Sequence, residues 1–241
     1  MIITSSQNEK IKEIKRLLTD KSHLFLDNPK VIEEAVNAGH TLEYIICNEN
    51  FSGKTDYGGE LLVVSDNIFR TFSNTKTSQG IVGVIKYNSL SLQNPQSNYL
   101  VLDEVQDPGN VGTLLRSALG ADFKEVYLVN SCRTTNDKVV RSSMGAVFKL
   151  KIYECEKKSF LTAFKNFKIP LYIADMNGKN IYTHKIHTPI GLVLGNEGNG
   201  VSSEFRKISK ETLSIPMNSQ LESLNVGVAG SVIMFQIKNK E

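Results

Sequence analysis

Cysteine is scarce and scattered. Cys47, Cys132 and Cys155 form no C-x-x-C pair, and an odd count at wide spacing argues against a disulfide framework and a structural zinc site. His184 and His187 stand three apart with no further His or Cys nearby, so no metal is expected. No run of about 18 apolar residues exists, so no transmembrane helix is expected. The opening "MIITSSQNEKIKEIKRLL" lacks an apolar stretch of signal-peptide type, which places the chain in the cytoplasm by default. Net charge is also small: 28 Lys and Arg against 25 Asp and Glu give +3, too little alone to imply a nucleic-acid partner. The P-loop pattern and the G-x-S-x-G elbow are missing. The glycine cluster Gly195–Gly200 reads G-x-x-G-x-G, not the dinucleotide fingerprint, and falls late in the chain. Neither a nicotinamide nor a flavin site is expected.

What remains is an ordinary globular composition. At 241 residues and 40% hydrophobic content, the chain can form one large or two modest domains. Ile11, Ile14, Leu17 and Leu18 recur at helical spacing, which predicts a helix over 4–18 with Ser5 or Ser6 as its cap. Its opposite face is basic: Lys10, Lys12, Lys15 and Arg16. That face reads as solvated surface or as a phosphate-attracting stripe. A second helix is expected over 28–40. Strands are expected at 42–48, 60–66 and 80–87, with a short helix in "NIFRTFSN". The uncharged, polar stretch 88–98 is the best linker. Beyond it, strands at "YLVLDEV", "EVYLVN", "FKLKIYE", "PLYIAD" and "IGLVLG" alternate with helical segments, which favours a parallel sheet covered on both faces.

Three of these strand ends carry unusual polar residues, where open α/β sheets collect ligands. In "LDEVQDPGNVGTLLRSA", Asn110 sits near a helix start and Arg116 lies further along it. "LVLGNEGNGVS" ends a buried strand on glycines around one carboxylate, Glu197. In residues 213–235 a polar loop follows Pro216, and a helix is expected from near Ser223. That helix carries Gly227, Ala229 and Gly230. Each interior glycine costs roughly 1 kcal/mol against alanine, so a close-packed neighbour or partner helix is inferred there.

Taken together, "DPGNVGTLLRSA", "LVLGNEGNGVS" and "IPMNSQLESLNVGVAGSV" resemble the motifs of the SpoU/TrmH-type RNA ribose 2'-O-methyltransferases of the SPOUT superfamily. "KVVRSSMGAVFKL" looks like a further family segment. The N-terminal "ITSSQNEKIKEIKRL" and "TKTSQGIVGVI" look like the substrate-binding domain that often precedes it. Ser78, Ser219, Gln220 and Gly227 depart from common family residues and bear on loop shape or substrate choice more than on the reaction.

The resemblance implies an α/β protein with three parts: an N-terminal RNA substrate-binding domain (1–90), a linker (91–98), and a C-terminal trefoil-knotted parallel-sheet methyltransferase domain (99–241). It implies a homodimer and S-adenosylmethionine held bent near Leu194, Gly195, Asn196, Gly200, Ile215, Met217, Leu224 and Asn225. The substrate is expected to be ribosomal RNA. Transfer RNA is the alternative, as is a non-catalytic RNA-binding assembly factor. Asn110, Arg116, Glu197, Ser223 and Asn225 are the implied catalytic residues. Arg116 is expected to stabilise the ribose alkoxide, since neutral guanidine is costly. Glu197 is expected to fix Arg116 or the loop. RNA contacts are expected from Arg116, Arg141, Lys10, Lys15 and Arg16, with Lys54, Arg70, Lys76 and Lys86 as further surface cations. Ser142 and Ser143 are expected near RNA or the dimer seam.

Overall fold

The computed structural model describes residues 2–20, 22–73 and 78–240, so Lys76 lies outside the described residues. The chain divides into two compact units: Met1–Asn88 with Thr134–Arg141, and Ser89–Arg133 with Ser142–Glu241.

The first unit contains β1 (Ile2–Ile3), α1 (Glu9–Leu17), β2 (His23–Leu26), α2 (Pro29–Asn37), β3 (Leu42–Asn48), β4 (Glu60–Val64), α3 (Asp66–Phe69) and β5 (Ile81–Lys86). Its sheet runs β1-β4-β3-β5-β2, with β5 antiparallel to both β2 and β3. Helix α1 starts later than its apolar spacing suggests. Ser5 is spent on a local turn, its Oγ accepting from the Gln7 amide. Asn8 is the cap instead, accepting from the Lys10 amide at 2.9 Å. Ile11 and Ile14 are buried completely, in a cluster with Ile46, Phe69 and Val82. Strand β2 was not expected from "HLFL", which is too short to show an alternation; pairing with β5 defines it.

The second unit contains β6 (Tyr99–Asp103), α4 (Pro108–Gly120), β7 (Glu125–Val129), β8 (Lys151–Cys155), α6 (Lys157–Phe164), β9 (Leu171–Asn180), β10 (Gly191–Leu194), α7 (Ser203–Ile208), β11 (Glu211–Ser214) and α8 (Val226–Lys238). The short α5 (Asp137–Ser143) falls between β7 and β8 in the chain. The sheet order is β11-β9-β10-β6-β7-β8, and every pairing is parallel. Strands β6 and β7 are buried at every residue, as expected when helices cover both faces. An aromatic cluster of Tyr99, Tyr127, Tyr153, Phe160 and Phe205 fills part of this core. Each fully buried side chain of this kind contributes roughly 1.5–3 kcal/mol over leaving it in water.

Two glycines allow close approaches that set the sheet. Gly191 lies in register with Tyr99, and a Cβ there would stand 2.1 Å from the Tyr99 ring. A Cβ on Gly178 would meet the backbone of Thr212 and Leu213 at 2.8 Å. There the β9–β11 register jumps, from Thr212 opposite Ile173 to Leu213 opposite Lys179. The intervening residues of β9 bow out of the ladder and form one wall of the site.

Helix α8 begins at Val226, three residues after the expected start. Asn225 caps it, its Oδ1 accepting from the amides of Gly227 and Val228 at 2.9 and 3.3 Å. The helix packs closely, as its glycines imply. A Cβ on Gly230 would lie 2.3 Å from Leu194 and 2.4 Å from Leu114. Helix α4, by contrast, starts earlier than expected, with Asp107 as cap and Pro108 at its first position.

Candidate methyl-donor site

A cavity of about 560 Å³ opens at the carboxyl ends of β9, β10 and β11. This is the end of the sheet where α/β folds hold ligands. Leu194, Gly195, Asn196, Gly200, Ile215, Met217, Leu224 and Asn225 all line it, as do Glu197 and Ser223. Residues the sequence reading missed also line it: Asp175 and Met176 from the bowed part of β9, Arg206 from α7, and Glu222. The signal for Asp175 was an acidic residue ending the predicted strand "PLYIAD". Arg206 carried none, because only the fold turns α7 toward Asp175. There Arg206 Nη2 meets the Asp175 carboxylate and its Nε donates to the Val201 carbonyl at 3.0 Å.

The glycine turn is braced from within by the Asn196 side chain. Asn196 and Gly200 exchange backbone hydrogen bonds of 3.1 and 2.9 Å. Asn196 Oδ1 accepts from the amides of Gly198 and Asn199 at 2.9 and 3.1 Å, and its Nδ2 donates to the Glu104 carbonyl at 2.9 Å. Gly195 allows the turn to close, since a Cβ there would stand 2.1 Å from the Gly200 carbonyl carbon. Gly200 has φ +67°, the left-handed region glycine tolerates.

Three motif residues form a chain of hydrogen bonds. Asn225 Nδ2 donates to Asn110 Oδ1 at 3.0 Å, and Asn110 Nδ2 donates to Glu197 Oε1 at 3.0 Å. Glu197 also accepts from the Gln106 and Asp107 amides at 3.4 and 3.3 Å, just before α4. Burial alone would raise the Glu197 pKa. The Asn110 and backbone hydrogen bonds outweigh it and hold the carboxyl below the usual carboxylate range. An ionised Glu197 is an acceptor that fixes Asn110 and the loop, and among the described residues no hydrogen bond or ion pair joins it to Arg116. Asp175 is lowered too: burial opposes, and Arg206 with the Asn177 amide prevails.

Arg116 stands apart from the cavity wall. It lies on the exposed face of α4, and among the described residues no hydrogen bond or ion pair holds it. The N-terminal cations differ among themselves. Lys10 Nζ is 3.1 Å from Glu60 and 3.4 Å from Glu13. Its pKa is raised by the Glu60 hydrogen bond, with burial opposing. Lys15 lies over the Phe72 ring at 6.0 Å, and Arg16 is exposed. Arg141, within the first unit, pairs with the nearly buried Asp27 at 3.5 Å. Ser142 donates to the Pro108 carbonyl and Ser143 is fully buried, so both face protein. Among the described residues no group of three His, Cys, Asp or Glu could hold a metal ion, and no helix is long and apolar enough to cross a membrane.

Comparison with known proteins supplies the family. Residues 97–235 match the SpoU rRNA Methylase family, and residues 8–83 match the MRM3-like substrate binding domain. The chain is 27% identical to the Bacillus subtilis 23S rRNA (guanosine(2553)-2'-O)-methyltransferase RlmP, over 98% of both proteins. Among solved structures, an RNA 2'-O ribose methyltransferase superposes with a TM-score of 0.82 at 25% identity, covering 100% of this chain and 99% of that one. An AdoMet-bound rRNA methyltransferase from Sinorhizobium meliloti shares the fold with a TM-score of 0.86 at 24% identity, covering 99% and 97%. With a parallel sheet ending in this cavity and a match over its whole second unit's core, the chain belongs to the SpoU rRNA Methylase family.

Proposed function

We propose that this protein transfers a methyl group from S-adenosylmethionine to a ribose 2'-hydroxyl of ribosomal RNA. The observation that carries this reading is that two distant segments, around 197 and 225, wall one cavity and are joined through Asn110 by the Asn225–Asn110–Glu197 hydrogen-bond chain. The names of the matched relatives favour ribosomal over transfer RNA.

The cavity suits the donor. Its volume lies within the range of small-molecule sites, roughly 300–1,000 Å³. Leu194, Ile215, Leu224 and Ile233 offer an apolar slot for a purine, and the backbone around Gly195 and Met217 can hydrogen-bond its edge. Glu222 and Arg206 offer both signs of charge to an amino-acid moiety. When bound, the donor supplies a methyl group already activated on a sulfonium. The chain's own task is then to orient the ribose and stabilise charge on its 2'-oxygen. Arg116 does the latter with its guanidinium fork and grips an adjacent phosphate. Asn110 and Asn225 hold the ribose side of the site in place, and Ser223 hydrogen-bonds the nucleotide.

Arg116, exposed and unpaired among the described residues, supports a site completed by a second copy of the chain. Val228 and Phe235, each 50% exposed, lie seven residues apart on one face of α8 and suit the seam of such a homodimer. Within this reading, 1–90 is the RNA substrate-binding domain, 91–98 the linker and 99–241 the methyltransferase domain. Membership of the SpoU family supports a trefoil knot at the donor loops. Lys10, Lys15, Arg16 and Arg141 contribute positive charge toward RNA, and the enzyme works in the cytoplasm.

The test is to map 2'-O-methyl sites in total RNA from cells with and without this protein. Loss of one ribosomal RNA site supports the reading; a lost transfer RNA site replaces it with the alternative substrate. No lost site, with no S-adenosylmethionine binding by calorimetry, leaves the assembly-factor alternative.

A further inference from the structure

Behind the glycine turn, at the end of β6, lies a charged group that the reaction does not use. Asp103 is 1% exposed. Its Oδ2 accepts from the Ser202 amide at 2.8 Å, directly after the turn. Its Oδ1 lies 3.1 Å from Lys157 Nζ, close as a charge pair though off the angle of a hydrogen bond. Lys157 also donates to Glu104 Oε1 at 2.7 Å. Glu104 takes φ +60°, a left-handed conformation uncommon for a residue with a Cβ. This turn presents two groups: its carboxylate to Lys157 and its carbonyl to Asn196 Nδ2.

Both ends of the Gly195–Gly200 turn are therefore tied to the acidic pair at the end of β6. Asn196 is tied at the start through the Glu104 carbonyl, and Ser202 at the finish through the Asp103 carboxylate. Lys157 joins the two carboxylates. A lysine in the first turn of a helix opposes the helix dipole, so α6 alone gives no reason for it. The two carboxylates do: a buried Asp103 without a cation would carry an uncompensated charge.

We propose that Lys157 is a positioning residue for the methyl-donor turn, acting through Asp103 and Glu104 to set the backbone against which the donor rests. This rests on the donor site proposed above. Loss of the ammonium frees Asp103 and Glu104 to separate, and the turn they anchor loosens without losing any group that touches the donor.

Lys157→Met keeps the stem and removes the charge, and Lys157→Arg keeps the charge. For Lys157→Met, KM for S-adenosylmethionine is expected to rise about tenfold, with kcat and KM for RNA within about twofold of wild type. Amide hydrogen exchange over residues 196–202 is expected to accelerate, and Lys157→Arg to restore both. An unchanged donor KM, unaccelerated exchange or failed rescue by arginine overturns the proposal. Should Lys157→Met not fold, Glu104→Gln keeps Lys157 and removes one of its partners. The same rise in donor KM and faster exchange are then expected, and wild-type values overturn it. If the wild-type protein itself binds no donor, the functional reading fails, while exchange over 196–202 still decides the role of Lys157.

Discussion

Asn110 Nδ2 donates to Glu197 Oε1 at 3.0 Å across 87 residues of sequence. The bond joins the first turn of α4 to the glycine turn after β10. Asn110 is also held by Asn225, so one side chain ties both the glycine turn and the start of α8 to α4.

That relation predicts two separable effects of Asn225→Ala. Losing the α8 cap should cost about 1 kcal/mol. In a chain of this size that lowers the melting temperature by roughly 2–4 °C. The donor affinity should fall as well, because Asn110 loses its second anchor. Thermal melts with and without S-adenosylmethionine read both; an unaltered donor-induced shift would show that Asn225 serves the helix alone.

Two glycines of the same turn should respond oppositely. Gly195→Ala brings a Cβ to 2.1 Å from the Gly200 backbone and must open the turn, abolishing donor binding in calorimetry. Gly198→Ala meets nothing nearer than Asn196 Oδ1 at 3.6 Å and should bind normally. Equal affinities for the two variants would mean that the turn does not shape the site.

Glu197 predicts a pH dependence with a definite sign. Its carboxyl is held below the ordinary 4.5, against burial, by Asn110 and the backbone amides. Its contribution to stability is therefore fully present above the unfolded-state value and is lost as pH falls through the folded-state value. Glu197→Gln should flatten the acid limb of stability below about pH 4.5 in urea titrations, leaving the neutral limb parallel to wild type. A parallel acid limb would reject the assignment.

Arg116 is expected to matter for rate and hardly for stability. Arg116→Ala removes an exposed side chain without partners among the described residues, so stability should stay within about 0.5 kcal/mol. Turnover should fall about 10²–10³-fold, as when a transition-state donor is removed. Arg116→Lys keeps charge and loses the fork. Near wild-type turnover by that variant, at unchanged RNA affinity, would rule out the bidentate role.

The basic face of α1 should not act uniformly. Lys10 is already committed to Glu13 and Glu60, whereas Arg16 is exposed. Arg16→Ala should weaken RNA binding and flatten its salt dependence more than Lys10→Ala does. Binding measured at several salt concentrations compares them, and the reverse order would locate the contact elsewhere.

Much of this molecule could be read from local pattern. The buried strands of the second unit are apolar runs such as "YLVLD" and "EVYLV", and they appear where expected. The edges were less legible. Ser5 and Asn8 are both competent caps, and only the turn that engages Ser5 decides between them. Strand β2 is invisible until β5 lies beside it. Asp103 falls inside the expected strand "YLVLDEV", which ends at that residue in the structure, and nothing nearby in sequence reveals that Lys157 neutralises it.

By itself, the sequence determined the elements and the chemistry available at their ends: parallel buried strands, a glycine turn around a carboxylate, two asparagines and an arginine. Those properties follow from short-range periodicity and residue type. Only the tertiary structure decided which groups meet. It seated β10 between β6 and β9, gathered residues 174–176, 194–200 and 213–226 around one cavity, and left Arg116 outside its wall. Such meetings are set by strand order and register, which depend on pairing between segments far apart in the chain and leave no periodic trace along it.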